Sequence, residues 1–140
     1  MSLLNIFKPR EPLVMLVDDD VMLLDMYEAF LDGMNCRSVK IFDNKEAVAT
    51  AEKQKPQLIL LDVMMPGFTG LQILQMLKLK SSTKDIPVLM VTGEDTIGDI
   101  EAAFKLGAAD YMLKPAERGN FEQKIKLLLA PAGYSFPDVK

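Results

Sequence analysis

The sequence predicts a doubly wound α/β protein, a parallel sheet with helices on both faces. Three observations carry that prediction. Five short apolar runs alternate with five segments of helical spacing, and parallel neighbours need such crossovers. Four of the runs have no polar residue on either parity, as strands buried on both faces require. The 140 residues give room for one domain and short tails, at roughly 100 to 200 residues per domain.

Residues 1–12, with Pro9 and Pro12, precede the first run and read as an arm. The first strand is expected at 13–17, and the first helix on Leu24, Tyr27 and Leu31 with a stop at Gly33. A patchier strand at 36–42 mixes Cys36, Val39, Ile41 and Phe42 with Arg37, Ser38 and Lys40, as an edge strand does. The second helix follows on Ala47, Val48 and Ala51, with Asp43 as N-cap and Pro56 as stop. The third strand is expected at 58–61, then a helix on Leu71, Leu74 and Leu77 capped by Thr69. The fourth strand, 87–91, leads to a helix at 96–106 on Ile97, Ile100 and Phe104, capped by Asp95, stopped by Gly107 and carrying Glu101 and Lys105 outside. The fifth strand, 111–113, precedes a helix on Phe121, Ile125 and Leu128 that ends before Pro131. Residues 130–140, with Pro131, Gly133 and Pro137, cannot continue that helix and read as a free tail or the start of a linker, leaving 13–129 as the domain.

Composition narrows the chemistry. No stretch approaches the roughly 18 apolar residues of a membrane span, and no signal-peptide core precedes the first strand, so a cytoplasmic protein without membrane contact is expected. One cysteine, Cys36, excludes an internal disulfide and a cysteine metal cluster. The chain has no histidine, hence no imidazole base or ligand. A net charge of -4 and a pI near 4.8 argue against nucleic acid as partner. Ten methionines could line a partner groove, but at core spacing they serve packing.

In a doubly wound sheet, ligands sit at the carboxyl ends of the strands, where the strand order reverses. Asp18, Asp19 and Asp20 follow the first strand, Asp62 the third, Thr92 the fourth and Lys114 the fifth. Taken singly, each has an ordinary explanation: a helix cap for the aspartates, a turn at 65–67 for Asp62, a local turn with Gly93 for Thr92, and solvation for Lys114. Taken together, they pose an electrostatic problem. Two like charges about 4 Å apart cost on the order of 4 kcal/mol at an effective dielectric of about 20, so the cluster must take up protons or bind a cation. Lys114 offsets one charge; an all-oxygen site for the remainder suits Mg²⁺ and tolerates Mn²⁺. Carboxylate, hard cation, hydroxyl and ammonium around one cavity are the parts of a phosphoryl-transfer site.

The strings Leu-Val-Asp-Asp-Asp (16–20), Leu-Leu-Asp-Val-Met-Met-Pro-Gly-Phe-Thr-Gly (60–70), Val-Thr-Gly-Glu (91–94) and Gly-Ala-Ala-Asp-Tyr-Met-Leu-Lys-Pro (107–115) resemble the receiver domain of two-component response regulators, over about residues 13–129. The resemblance implies a flavodoxin-like, CheY-like sheet of order 2-1-3-4-5. It implies Asp62 as phosphoacceptor, and Mg²⁺ held by Asp19 directly, by Asp18 mostly through water, by Asp62 and by the backbone carbonyl of Met64. It further implies that Thr92 and Lys114 bind the phosphoryl oxygens and that Tyr111 swings inward behind Thr92. Pro115 matches a position with a cis peptide. The implied partners are a histidine kinase or histidine phosphotransfer protein as donor and a downstream output domain or protein. A homodimer through the fourth helix, fifth strand and fifth helix is a further expectation.

Two positions depart from the family pattern. Met64 stands where a polar side chain is frequent, and Thr69 where an acidic one is. Met64 and Glu94 flank the path of the attacking water in the family, and an apolar Met64 cannot orient it, so a long-lived phosphoryl state is expected. Other readings compete. An aspartyl-phosphate hydrolase would need a second aspartate where Met64 stands. A flavodoxin-like cofactor binder would need a phosphate-cradling loop in place of three aspartates. A degenerate receiver acting as scaffold conflicts with the complete set of strand-end residues. No output segment follows Leu129, so the chain reads as a stand-alone receiver or the receiver part of a longer regulator.

Overall fold

The structure is a computed structural model that describes residues 11–93 and 97–136. Its strands are β1 (Leu13–Val17), β2 (Arg37–Ile41), β3 (Leu58–Asp62), β4 (Val88–Thr92) and β5 (Asp110–Leu113). The helices are α1 (Val21–Asp32), α2 (Ala47–Gln54), α3 (Gly70–Leu79), α4 (Ile97–Lys105) and α5 (Arg118–Leu129). The strands form one parallel sheet of order β2-β1-β3-β4-β5, as the resemblance implies. The chain steps outward from β1 to β2 and returns to β3 on the other side of β1. The strand order therefore reverses between the carboxyl ends of β1 and β3, where Asp18 and Asp62 stand.

Alternation along the strands sorts the core into two layers. Val14, Leu16, Leu58, Leu60, Leu89, Val91 and Met112 face α1 and α5, meeting Leu24, Tyr27, Leu31, Phe121 and Ile125. Met15, Val17, Ile59, Leu61, Val88 and Met90 face the other way, onto Ala51, Ile73, Leu74, Leu77 and Ala103 of α2 to α4. The helix starts follow local chemistry. Asp20 caps α1, its Oδ1 accepting from the amides of Met22 at 3.0 Å and Leu23 at 3.3 Å. Thr69 and Gln72 close a reciprocal capping box on α3. Asp43 caps a 3-10 turn over Asn44–Glu46 that leads into α2, and Lys55 ends α2 in the left-handed region ahead of Pro56. Asp95 lies outside the described residues.

Three expectations need correction. The fifth strand, at the sheet edge that the order 2-1-3-4-5 implies, is not buried on both faces: Tyr111 and Leu113 are exposed while Met112 is buried. Phe104 accordingly faces outward and meets Tyr111 edge-on, ring centroids 6.1 Å apart. The stretch after Leu129 is not free up to Phe136. A 3-10 turn over Ala130–Ala132 and a left-handed Gly133 fold Tyr134 into the α1/α5 core, with Phe136 packed beside it. No helix among the described residues is long and apolar enough to cross a membrane.

Candidate functional site

Strand alternation explains which groups converge. Asp18 continues the series Val14, Leu16; Asp62 continues Leu58, Leu60; Lys114 lies two residues past Met112. All three therefore emerge on the α1/α5 side at the carboxyl end of the sheet. Asp18 and Asp62 are 2% and 3% exposed, values unusual for aspartates without partners. Lys114 supplies the partner: its Nζ lies 2.9 Å from Asp18 Oδ2 and 3.2 Å from Asp62 Oδ2. The first contact is an ion pair without good hydrogen-bond geometry, so Asp18 Oδ2 is buried with no hydrogen bond among the described residues. Asp18 Oδ1 accepts from the amide of Asp20 at 2.9 Å. The Lys114–Pro115 peptide is cis, as the resemblance implies.

Asp19 turns outward, yet Asp18, Asp19 and Asp62 each place a carboxylate oxygen within 4.8 Å of the others. One ammonium against three carboxylates leaves the site negative. Burial, and then the charge of Asp18, push the Asp62 carboxyl up to about 6, with Lys114 pulling the other way. Burial opposes the charge on Lys114, but the close contacts with the negative charges of Asp18 and Asp62 hold its pKa above the ordinary value.

The other expected residues surround this cluster. Met64 donates its amide to Asp62 Oδ1 at 3.3 Å, and its side chain is 65% exposed. Thr92 is fully buried and belongs to the opposite parity, on the α3/α4 side; its hydroxyl donates to the carbonyl of Gly93 at 3.3 Å. Tyr111 shares that side and stands outward, held by Phe104 and by Lys124, whose Nζ lies 5.7 Å from its ring centroid. Glu94 lies outside the described residues. Gly70 is fixed by a close approach: a Cβ there would overlap the carbonyl oxygen of Asp62, while its amide donates to Val63 O at 2.9 Å.

Sequence reading passed over two residues here. Tyr27, 2% exposed, lies beneath the cluster with its ring stacked on Phe121 and its hydroxyl without a hydrogen-bond partner among the described residues. Burial, modified by Lys114 and the aspartates above it, pushes that phenol up to about 12. Asn44, 5% exposed, donates Nδ2 to the carbonyls of Pro66 at 3.0 Å and Phe68 at 2.5 Å. The residue directly after the second run, Asp43, reads as a helix cap, and Asn44 stands one position beyond it.

The family model for the response regulator receiver domain matches residues 14–126. This chain belongs to the response-regulator receiver domains. Accepting a phosphoryl group on an aspartate is what this family does, as the switch module of two-component regulators. The receiver domain is 36% identical over 120 residues to the transcriptional regulatory protein CiaR of Streptococcus pneumoniae, covering 86% of this chain and 52% of that protein. It is 33% identical over 127 residues to the probable transcriptional regulatory protein TcrX of Mycobacterium tuberculosis, covering 89% of this chain and 53% of that one. It spans about half the length of these curated relatives. Among solved structures, a putative response regulator from Chloroflexus aurantiacus superposes with a TM-score of 0.82 at 30% identity, covering 86% of this chain and 99% of that chain. Receiver domains of this family bind Mg²⁺ in an acidic site and work with histidine kinases and output domains.

Proposed function

We propose that Asp62 is the phosphoacceptor of this receiver domain and that residues 13–129 form the unit that carries the reaction, the folded chain extending to Phe136. The observation that carries this reading is the Lys114 ammonium shared between two buried carboxylates, 2.9 Å from Asp18 and 3.2 Å from Asp62, at the point where the strand order reverses. A carboxylate oxygen of Asp62 attacks phosphorus, and the bond from phosphorus to the nitrogen of a donor phosphohistidine breaks. The donor imidazole leaves and takes up a proton. Asp62 needs no base, which fits a chain without histidine. The donor is a histidine kinase or histidine phosphotransfer protein.

The donor set fits a hard divalent cation. Three carboxylates within 4.8 Å and a buried Asp18 oxygen without a hydrogen bond suit Mg²⁺, with Mn²⁺ tolerated by the same oxygens. Asp18, Asp19, Asp62 and the carbonyl of Met64 would hold it, and bound there it neutralises charge on the phosphoryl oxygens. Lys114 pairs with one phosphoryl oxygen and Thr92 donates its hydroxyl to another. Thr92 exchanges its bond to Gly93 for that contact, and Tyr111 turns in from Phe104 and Lys124. The surface of α4, β5 and α5 then changes its affinity for an output partner or a second copy.

The test is acetyl phosphate with Mg²⁺ followed by intact mass. A single phosphoryl adduct on the parent, not formed when Mg²⁺ is chelated beforehand and absent from Asp62→Asn, is the expected result. An adduct that persists in Asp62→Asn, or none on the parent, overturns the assignment.

A further inference from the structure

The loop joining β3 to α3 carries Met64, whose amide reaches Asp62 and whose carbonyl completes the proposed cation site. Its two ends are well anchored. Val63 donates its amide to Val91 O at 3.1 Å, and beyond the loop Gly70 returns to Val63 O at 2.9 Å beside the Thr69–Gln72 capping box. The stretch between is tied differently. Among the described residues, every hydrogen bond from residues 65–68 to another element comes from Asn44, which lies 22 and 24 positions away on the turn after β2.

The geometry of that tie is specific to an amide side chain. Asp43 caps the Asn44–Glu46 turn, accepting from the amide of Lys45 at 3.1 Å, and so fixes where Asn44 starts. Both Nδ2 protons are then used, one on Pro66 O and one on Phe68 O, the two carbonyls that flank Gly67. Gly67 has φ 88°, and a Cβ on it would stand 3.1 Å from Asn44 Oδ1, so the loop presses against the amide as closely as a glycine allows. A carboxylate of the same size would set oxygen against two carbonyl oxygens. An alanine would leave both carbonyls unpaired.

We infer that Asn44 is a positioning residue for the Met64 segment, holding the β3–α3 loop so that the Met64 backbone faces the aspartate cluster. The inference rests on the reading of that cluster as a cation site. Groups that orient ligands in this way typically change metal affinity by about 10- to 100-fold when removed.

Two measurements on the full chain separate the possibilities: Mg²⁺ binding by calorimetry, and hydrogen exchange of the 62–70 segment without metal. Asn44→Ala and the isosteric Asn44→Asp are expected to weaken Mg²⁺ about 10-fold and to speed exchange in that segment, with β1 and α5 unchanged. Should Asn44→Ala fail to fold, Asn44→Asp carries the test. Mg²⁺ affinity within about twofold of the parent, or unaltered exchange in the folded variant, overturns the role of Asn44. A parent that binds no Mg²⁺ overturns the cation-site reading and, with it, the purpose assigned to the tie, whereas phosphorylation of Asp62 is read separately by mass.

Discussion

Met64 sits two residues beyond Asp62 and is exposed, so on the proposed reading a hydrolytic water approaching a phosphoryl group on Asp62 would pass an apolar side chain with no strong acceptor. Asn at this position adds a carbonyl acceptor and two N–H donors without touching the backbone that faces the aspartates. Met64→Asn is therefore expected to shorten the phosphoryl lifetime severalfold, below the roughly hundredfold that a positioned general base contributes. Loss of the mass adduct with time after donor removal measures it, and an unchanged rate refutes the role given to Met64. Tyr27 presents the opposite case, a polar group for which the described residues offer no hydrogen-bond partner. Its stacking on Phe121, ring centroids 5.2 Å apart, is what the core uses. Tyr27→Phe should hold stability within about 1 kcal/mol or raise it, because no hydrogen bond is lost and a hydroxyl no longer needs desolvating. Tyr27→Ala should cost about 3 to 5 kcal/mol. Urea unfolding compares them, and a loss above about 2 kcal/mol in Tyr27→Phe would reveal a hidden partner.

At the scale of elements, the site depends on the junction of β3 with α3. The strand ends on Asp62, and eight residues later the helix begins on a glycine whose Cα lies against the carbonyl of Asp62. The capping box fixes the helix start, and the Gly70 amide returns to Val63, so helix and strand are locked at a distance no side chain permits. Gly70→Ala should force the two apart, destabilising the fold by about 1 to 3 kcal/mol as overpacked sites do. It should also slow labelling of Asp62 by acetyl phosphate more than it lowers stability at the working temperature, since Asp62 itself is displaced. A folded Gly70→Ala protein labelled at the parental rate would show that the junction is looser than its geometry states. The α4–β5 pairing is of another kind. Phe104, Tyr111 and Lys124 meet at the surface through an edge contact and a cation above a ring, interactions of about 0.5 to 1.5 kcal/mol that a conformational change can break.

For the whole molecule, an edge strand with exposed Tyr111 and Leu113 beside exposed Phe104 presents an apolar strip on the α4–β5–α5 face. The chain as a whole carries a net charge of -4. On the proposed switch, phosphorylation of Asp62 adds negative charge at the carboxyl end of the same sheet and draws Tyr111 out of that strip, so self-association there should depend on phosphoryl state. Sedimentation velocity with and without acetyl phosphate is expected to show a shift in oligomer distribution that Asp62→Asn lacks. Identical profiles for labelled and unlabelled protein would exclude a homodimer as the readout of the switch.

The sequence by itself determined the architecture and where the site would be. Period-2 and period-3.6 patterns are local properties of the chain, and so are caps such as Asp20 and Thr69; a parallel α/β sheet then requires that Asp18, Asp62, Thr92 and Lys114 stand at one end. Tertiary structure decided what those patterns leave open. A run such as 111–113 is apolar whether its outward face is covered or open to solvent, so only the packing shows that Tyr111 and Leu113 are exposed. Phe104 fits the inward spacing of its helix, yet the packing of α4 on β5 turns it toward Tyr111. Tyr134 follows a proline and a glycine, but the end of α5 leaves it beside the α1/α5 core. The sharing of one lysine by two carboxylates, and the reach of Asn44 to a loop 22 to 24 residues away, depend on distances between chain segments that local periodicity does not encode.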